Sequence, residues 1–257
     1  MIRVDRVGMG PPLVMLHGWA MHGGILEPLV RALEAHRTLH VVDLPGHGDS
    51  AWREGDEFTL HACVAAIAPL VPSAPWLGWS LGGLVALRAA LDGAAAITGV
   101  IALAATPRFT HAHDWPHAVD DSVLAGFAAG LASDRCATLQ RFLALEAHGS
   151  DHLRDELRFL QQQIRSRPAP HARVLTEGLA VLRQSDLRSE LANLAVSSLW
   201  IGGRRDRLAP WQALAASAAL APGASSLCID HAGHAPFLSH AAEVAAGVLE
   251  WLGQHHL

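Results

Sequence analysis

A chain of 257 residues is long enough to bury a substantial core in one large domain. Apolar residues make up 51% and charged residues 17%, with a mean hydropathy of +0.23, which excludes an intrinsically disordered chain. Nineteen basic residues against 24 acidic ones leave a formal net charge of −5, which argues against a binder of nucleic acid or of an anionic membrane.

Every basic residue is Arg, so any specific cationic contact is made by a guanidinium fork. Cys63, Cys136 and Cys228 are odd in number, widely spaced and form no CxxC, so neither a disulfide framework nor a zinc site is expected. No stretch reaches ~18 uninterrupted apolar residues, so no transmembrane helix is expected. The default is a soluble, cytoplasmic monomer without metal or cofactor.

The first two-fifths of the chain alternates short apolar runs with helical patterns. Runs at 13–16, 39–42, 76–79 and 97–105 are apolar, and each stops at or near Gly or Pro, as buried parallel strands do. Between them, residues 25–35, 60–70 and 81–91 repeat apolar positions at helical spacing. This alternation implies βαβ units and an α/β fold with a doubly wound parallel sheet.

From 108 to about 188 the pattern changes to helices alone, expected at 122–132, 137–147, 153–165 and 172–184. Alternation resumes with a strand at 197–201, a helix from Trp211, a strand at 226–230 and a closing helix at 241–252. Residues 1–107 and 189–257 therefore read as an α/β core, and residues 108–188 as an inserted all-helical cap.

The sharpest motif is Gly78-Trp79-Ser80-Leu81-Gly82, placed where an expected strand turns into an expected helix. That context is the nucleophile elbow: glycines permit a strained turn that lifts the Ser80 hydroxyl to the end of the strand. The helix N-terminus behind it favours developing negative charge. A chance match among 23 glycines is the competing account, and the strand–turn–helix placement weighs against it.

Serine needs a base and an orienting acid, which follow a Ser nucleophile in the chain order acid, then His. Asp206 stands in the loop after the expected strand at 197–201, and His234 in the loop after the one at 226–230. His231 is the rival base, but His234 sits deeper in the loop. Asp230 rivals Asp206 but is too close in sequence to His234 to hold its far nitrogen. Two N–H donors for an oxyanion are expected from Leu81 and Trp19. Two readings stand for the Trp19 ring, packing or a wall of the acyl site, while His17 is expected to order its loop.

The elbow, the His17-Gly18-Trp19 loop, the Asp43-Leu-Pro-Gly-His-Gly-Asp-Ser50 string and the His234 loop resemble the α/β-hydrolase superfamily across essentially the whole chain. More narrowly, Trp76–Leu84, Asp114-Trp-Pro116, Val123–Phe127, Arg141–Leu145 and Ala235–His240 resemble the pimeloyl-[acyl-carrier-protein] methyl ester esterases of biotin synthesis. The resemblance implies hydrolysis of a methyl ester on a pimeloyl chain carried by acyl carrier protein. It also implies a triad of Ser80, Asp206 and His234, carbonyl binding by Trp19 and Leu81, and a substrate site lined by Phe142, Leu143, Ala144, Leu145 and Glu146.

At 146 the resemblance implies a neutral amide; the carboxylate found there either alters substrate preference or faces solvent. Phe142 to Leu145 suit either an acyl tunnel or an ordinary cap core. Arg141, Arg154 and Arg158 are candidates for docking the acidic carrier, within a cap whose stretch from 158 to 173 holds four arginines and no acid. The alternative is a solvated helix face.

Other hydrolases of this fold share the triad, including general short-chain carboxylesterases and C–C bond hydrolases. Dehalogenases and epoxide hydrolases use an Asp nucleophile and are disfavoured by Ser80. A non-catalytic ligand receptor on the same fold is the remaining class.

Overall fold

A computed structural model describes residues 1–94 and 96–257. Seven strands form one sheet: β1 (Val4–Gly8), β2 (Pro12–Leu16), β3 (Thr38–Val42), β4 (Ala74–Trp79), β5 (Ile97–Leu103), β6 (Ser198–Gly203) and β7 (Ser225–Ile229). Their spatial order is β1-β3-β2-β4-β5-β6-β7, and every pairing is parallel except β1 with β3.

The apolar strands divide their side chains between two faces. Val14, Leu16, Trp76, Val100, Ala102 and Trp200 enter one core, and Leu13, Met15, Leu77, Trp79, Ile101, Leu103, Leu199 and Ile201 the other. This period-2 division explains why these strands read as unbroken apolar runs: both faces are covered. Helices α1 (Glu27–Leu33), α2 (Leu60–Ile67) and α3 (Leu81–Leu91) connect the early strands. The first core takes α2 and α3, through Cys63, Val64, Ile67, Leu84 and Leu87, while the second takes α1 through Leu29 and Leu33.

Between β5 and β6 lie α4 (Asp121–Ser133), α5 (Arg135–Ala147), α6 (Leu153–Ser166) and α7 (Ala172–Gln184). Asp120, Asp134 and His171 cap three of these by accepting a first-turn N–H, which explains their starts. This block joins both cores, with Leu124, Phe127, Phe142 and Leu179 in the first and Leu143, Ala147 and Leu160 in the second. It follows β5, so it rises from the strands' carboxyl ends. The chain closes with α8 (Trp211–Leu220), a one-turn α9 (Pro236–Ser239) and α10 (Ala241–Gln254).

Three local differences from expectation have plain causes. The first helical pattern divides into a 3₁₀ turn at Gly23–Leu26 and α1, whose first turn contains Pro28. The strand expected at 97–105 ends at Leu103, because Ala104 takes a φ of +45°. The edge strand β1, Val-Asp-Arg-Val-Gly, carries charges and is half-buried or exposed, so its sequence shows neither an apolar run nor clean alternation.

Candidate active site

Ser80 directly follows β4 and is the N-cap of α3, at φ 54° and ψ −116°. A serine at this position ordinarily spends its hydroxyl on a first-turn N–H, but the Ser80 side chain makes no such bond. The turn closes because its neighbours lack side chains. A Cβ on Gly78 would lie 2.5 Å from Gly83 N and closer still to the Gly82 carbonyl, and one on Gly82 would lie 2.6 Å from the His17 and Leu16 carbonyls.

The free hydroxyl meets the imidazole of His234, with Ser80 Oγ 3.0 Å from Nε2. On the other side of the ring, Nδ1 lies 2.8 Å from Asp206 Oδ2. The second oxygen of Asp206 accepts N–H bonds from Leu208 at 2.7 Å and Ala209 at 2.9 Å. These contacts leave one sensible proton arrangement: Nδ1–H donates to Asp206, and Nε2 accepts from Ser80. All three residues are buried.

The His234 backbone is held from two sides. Its carbonyl accepts the Trp79 indole N–H at 2.9 Å, and its N–H donates to the Glu146 carbonyl at 3.3 Å. Neither contact was legible in the sequence, although a buried Trp at a strand end signals an indole N–H in need of an acceptor. The rivals lie elsewhere: His231 and Asp230 are exposed, His231 accepting from Arg205 at 2.7 Å and Asp230 paired with Arg204.

The loop after β2 lies against the nucleophile, since a Cβ on Gly18 would come within 3.3 Å of Ser80 Cβ. His17 orders it: Nε2 accepts the Leu44 N–H at 2.9 Å, so Nδ1–H donates to the Gly18 carbonyl at 2.7 Å. Burial first, and then the neighbouring His47, push its pKa down to about 3, so the ring is a neutral bridge between two loops. The Leu81 N–H is the first of α3 and has no partner within the helix.

A base bonded to serine and oriented by a carboxylate, at the head of a parallel sheet, is an arrangement for acyl transfer. The α/β hydrolase fold family matches residues 11–241. The chain belongs to the α/β hydrolase fold family. It is 51% identical over 247 residues to the pimeloyl-[acyl-carrier protein] methyl ester esterase of Stenotrophomonas maltophilia (strain K279a), covering 96% of this chain and 95% of that one. It is 50% identical over 244 residues to the enzyme of the same name from Xanthomonas campestris pv. campestris (strain B100), covering 95% and 96%. Among solved structures, an esterase from Exiguobacterium antarcticum matches with a TM-score of 0.86 at 22% identity, covering 98% of this chain and 95% of that one. A bromoperoxidase from Bacillus anthracis matches at 0.88 and 21%, with the same coverage. At such identities these two carry the fold alone.

In this α/β hydrolase the five residues expected to line a substrate site occupy consecutive positions near the end of α5. Phe142 packs edge-on against Trp19, ring centroids 4.6 Å apart, and belongs to the first core. Leu143 belongs to the second core, Leu145 is half-buried against the first, and Ala144 is exposed. Glu146 is fully buried, which overturns the solvent-facing alternative. Burial, and then the charge of Asp206, raise its pKa well above the ordinary carboxylate range. The buried Trp19 ring donates its indole N–H to the Leu175 carbonyl at 2.9 Å, joining the loop after β2 to α7.

The arginine-rich stretch is less free than its sequence implies. Arg167 reaches Asp43 at 2.7 Å and Asp5 at 3.3 Å, and Arg173 pairs with Glu177. Arg158 is exposed and pairs with Asp155 at 3.1 Å, Arg141 is exposed beside the Thr138 hydroxyl, and Arg154 is exposed. Among the described residues, no group of three or more His, Cys, Asp or Glu side chains is placed to hold a metal ion.

Proposed function

We propose that this hydrolase is a serine carboxylesterase that cleaves the methyl ester of pimeloyl-[acyl-carrier protein] and releases methanol, a step of biotin synthesis. The reaction class rests on the Ser80–His234–Asp206 line, at 3.0 and 2.8 Å, and the substrate on near-full-length identity of about half to esterases of that name.

His234 Nε2 takes the proton as Ser80 Oγ bonds to the ester carbonyl carbon. The oxyanion is met by the Leu81 and Trp19 N–H groups, and Asp206 stabilises the imidazolium. The imidazolium then protonates the departing methoxide, giving methanol and an acyl-serine. Water, deprotonated by His234, attacks the acyl carbon, and Ser80 leaves with the proton returned to it. The products are the free distal carboxylate and the starting enzyme.

Exposed Arg141, Arg154 and Arg158 on α5 and α6 are proposed contacts for the acidic carrier, favoured by charge alone. The deciding assay is methanol release from pimeloyl-[acyl-carrier protein] methyl ester by purified protein. Wild type turns it over and Ser80→Ala does not; absence of turnover, or equal turnover by both, refutes the assignment.

A further inference from the structure

Glu146 occupies the next-to-last position of α5, is fully buried, and neither of its carboxyl oxygens has a hydrogen-bond partner. Its own carbonyl accepts the His234 N–H, so the residue is seated on the loop that carries the base. Three influences oppose a charge there. Burial removes its hydration, the negative end of the α5 dipole lies beside it, and Asp206 is a close negative charge.

The surrounding elements offer no neutralising partner. After β6 come Asp206 and Arg205, but Arg205 is engaged with Asp151 and His231. After β7 come His231, turned to Asp151 at 3.2 Å, and His234, turned to Asp206. From α6, Glu156 accepts the Ser150 hydroxyl. His148, just beyond α5, is exposed.

The geometry points to Glu146 as a carboxylic acid held neutral behind the Asp206–His234 pair, a positioning residue whose loss of a proton sets the alkaline limit of ester hydrolysis. A proton lost from Glu146 leaves two adjacent buried carboxylates, Asp206 and Glu146. Their repulsion, and the demand of the new anion for water, fall on the turn of α5 that holds the His234 N–H. The base is then displaced from Ser80. This inference rests on the esterase reading for its kinetic consequence but not for its protonation state.

Two measurements on the full chain test it. The first is the pH profile of kcat/KM for wild type, Glu146→Gln and Glu146→Met on a soluble methyl ester, each normalised to its own value at pH 7. Above the transition, wild type falls by about tenfold per pH unit and the two uncharged variants do not. Superimposable profiles overturn the proposal.

The second is the infrared difference between wild type and Glu146→Gln at pH 7. The carbonyl stretch of a protonated carboxyl group, sensitive to deuteration, is present in wild type alone; a carboxylate signature there overturns the proposal without any substrate. If neither protein hydrolyses the soluble or the carrier-bound methyl ester, the esterase reading fails, while the spectrum still decides the state of Glu146.

Discussion

Replacing Asp206 by Asn tests whether the carboxylate acts by fixing the tautomer of His234. Asn is nearly isosteric, and the surroundings dictate which way its amide turns. Leu208 N–H and Ala209 N–H, at 2.7 and 2.9 Å, both require an acceptor, so the Asn oxygen must face them. The NH₂ group is then left facing His234 Nδ1, where the carboxylate oxygen stood at 2.8 Å.

Nδ1 must become the acceptor, the ring proton moves to Nε2, and Nε2 can no longer take the Ser80 proton across 3.0 Å. Loss of the correct tautomer in a triad of this kind lowers kcat by ~10⁴, or about 5.5 kcal/mol of barrier. Steady-state hydrolysis of a soluble methyl ester near pH 7 measures the drop, and an unchanged thermal midpoint separates it from unfolding. A loss smaller than about a hundredfold in a folded variant refutes the tautomer argument.

Other expectations follow from particular contacts. Gly78→Ala drives a Cβ into the Gly82 and Gly83 backbone and costs about 3 kcal/mol or more, read by denaturant unfolding; a change under about 1 kcal/mol contradicts the close approach. Ser80→Gly removes both the nucleophile and the strain of a positive φ, so it unfolds later than the equally inactive Ser80→Ala, by roughly 1 kcal/mol. In Glu146→Gln the stability gained over wild type depends on pH. The folded pKa is raised, so wild-type stability is fully present below the unfolded value near 4.5 and is lost as pH rises toward the folded one. The advantage of Gln therefore grows by about 1.4 kcal/mol per pH unit across that window and then levels off; a pH-independent difference contradicts the neutral acid. Arg154→Glu combined with Arg158→Glu lowers kcat/KM for the carrier-bound ester more than for a small soluble ester, and equal losses dismiss the docking role.

The strands and the elbow were legible because their signals are local. β2 to β6 are buried on both faces and read as apolar runs, and the elbow compresses strand end, nucleophile and helix start into a few residues. Apart from the triad, whose members each stand in a recognisable loop after a strand, contacts that join distant segments were not legible. Trp79 to the His234 carbonyl, Arg167 to Asp43 and Glu146 beside Asp206 each link positions that only the folded sheet brings together. Arginine charge misled for the same reason: the acids that neutralise Arg167 lie in the first fifth of the chain.

The separation of 154 positions between Ser80 and His234 also orders events during synthesis. The ribosome completes β4, the elbow and the loop after β2 long before it makes β7 and the imidazole behind it. At that point the chain carries the serine without the base that activates it. The triad is complete only with β7 paired to β6 and the loop beyond it bringing His234 to Ser80, so the last strand of the sheet is also the one that seats the base.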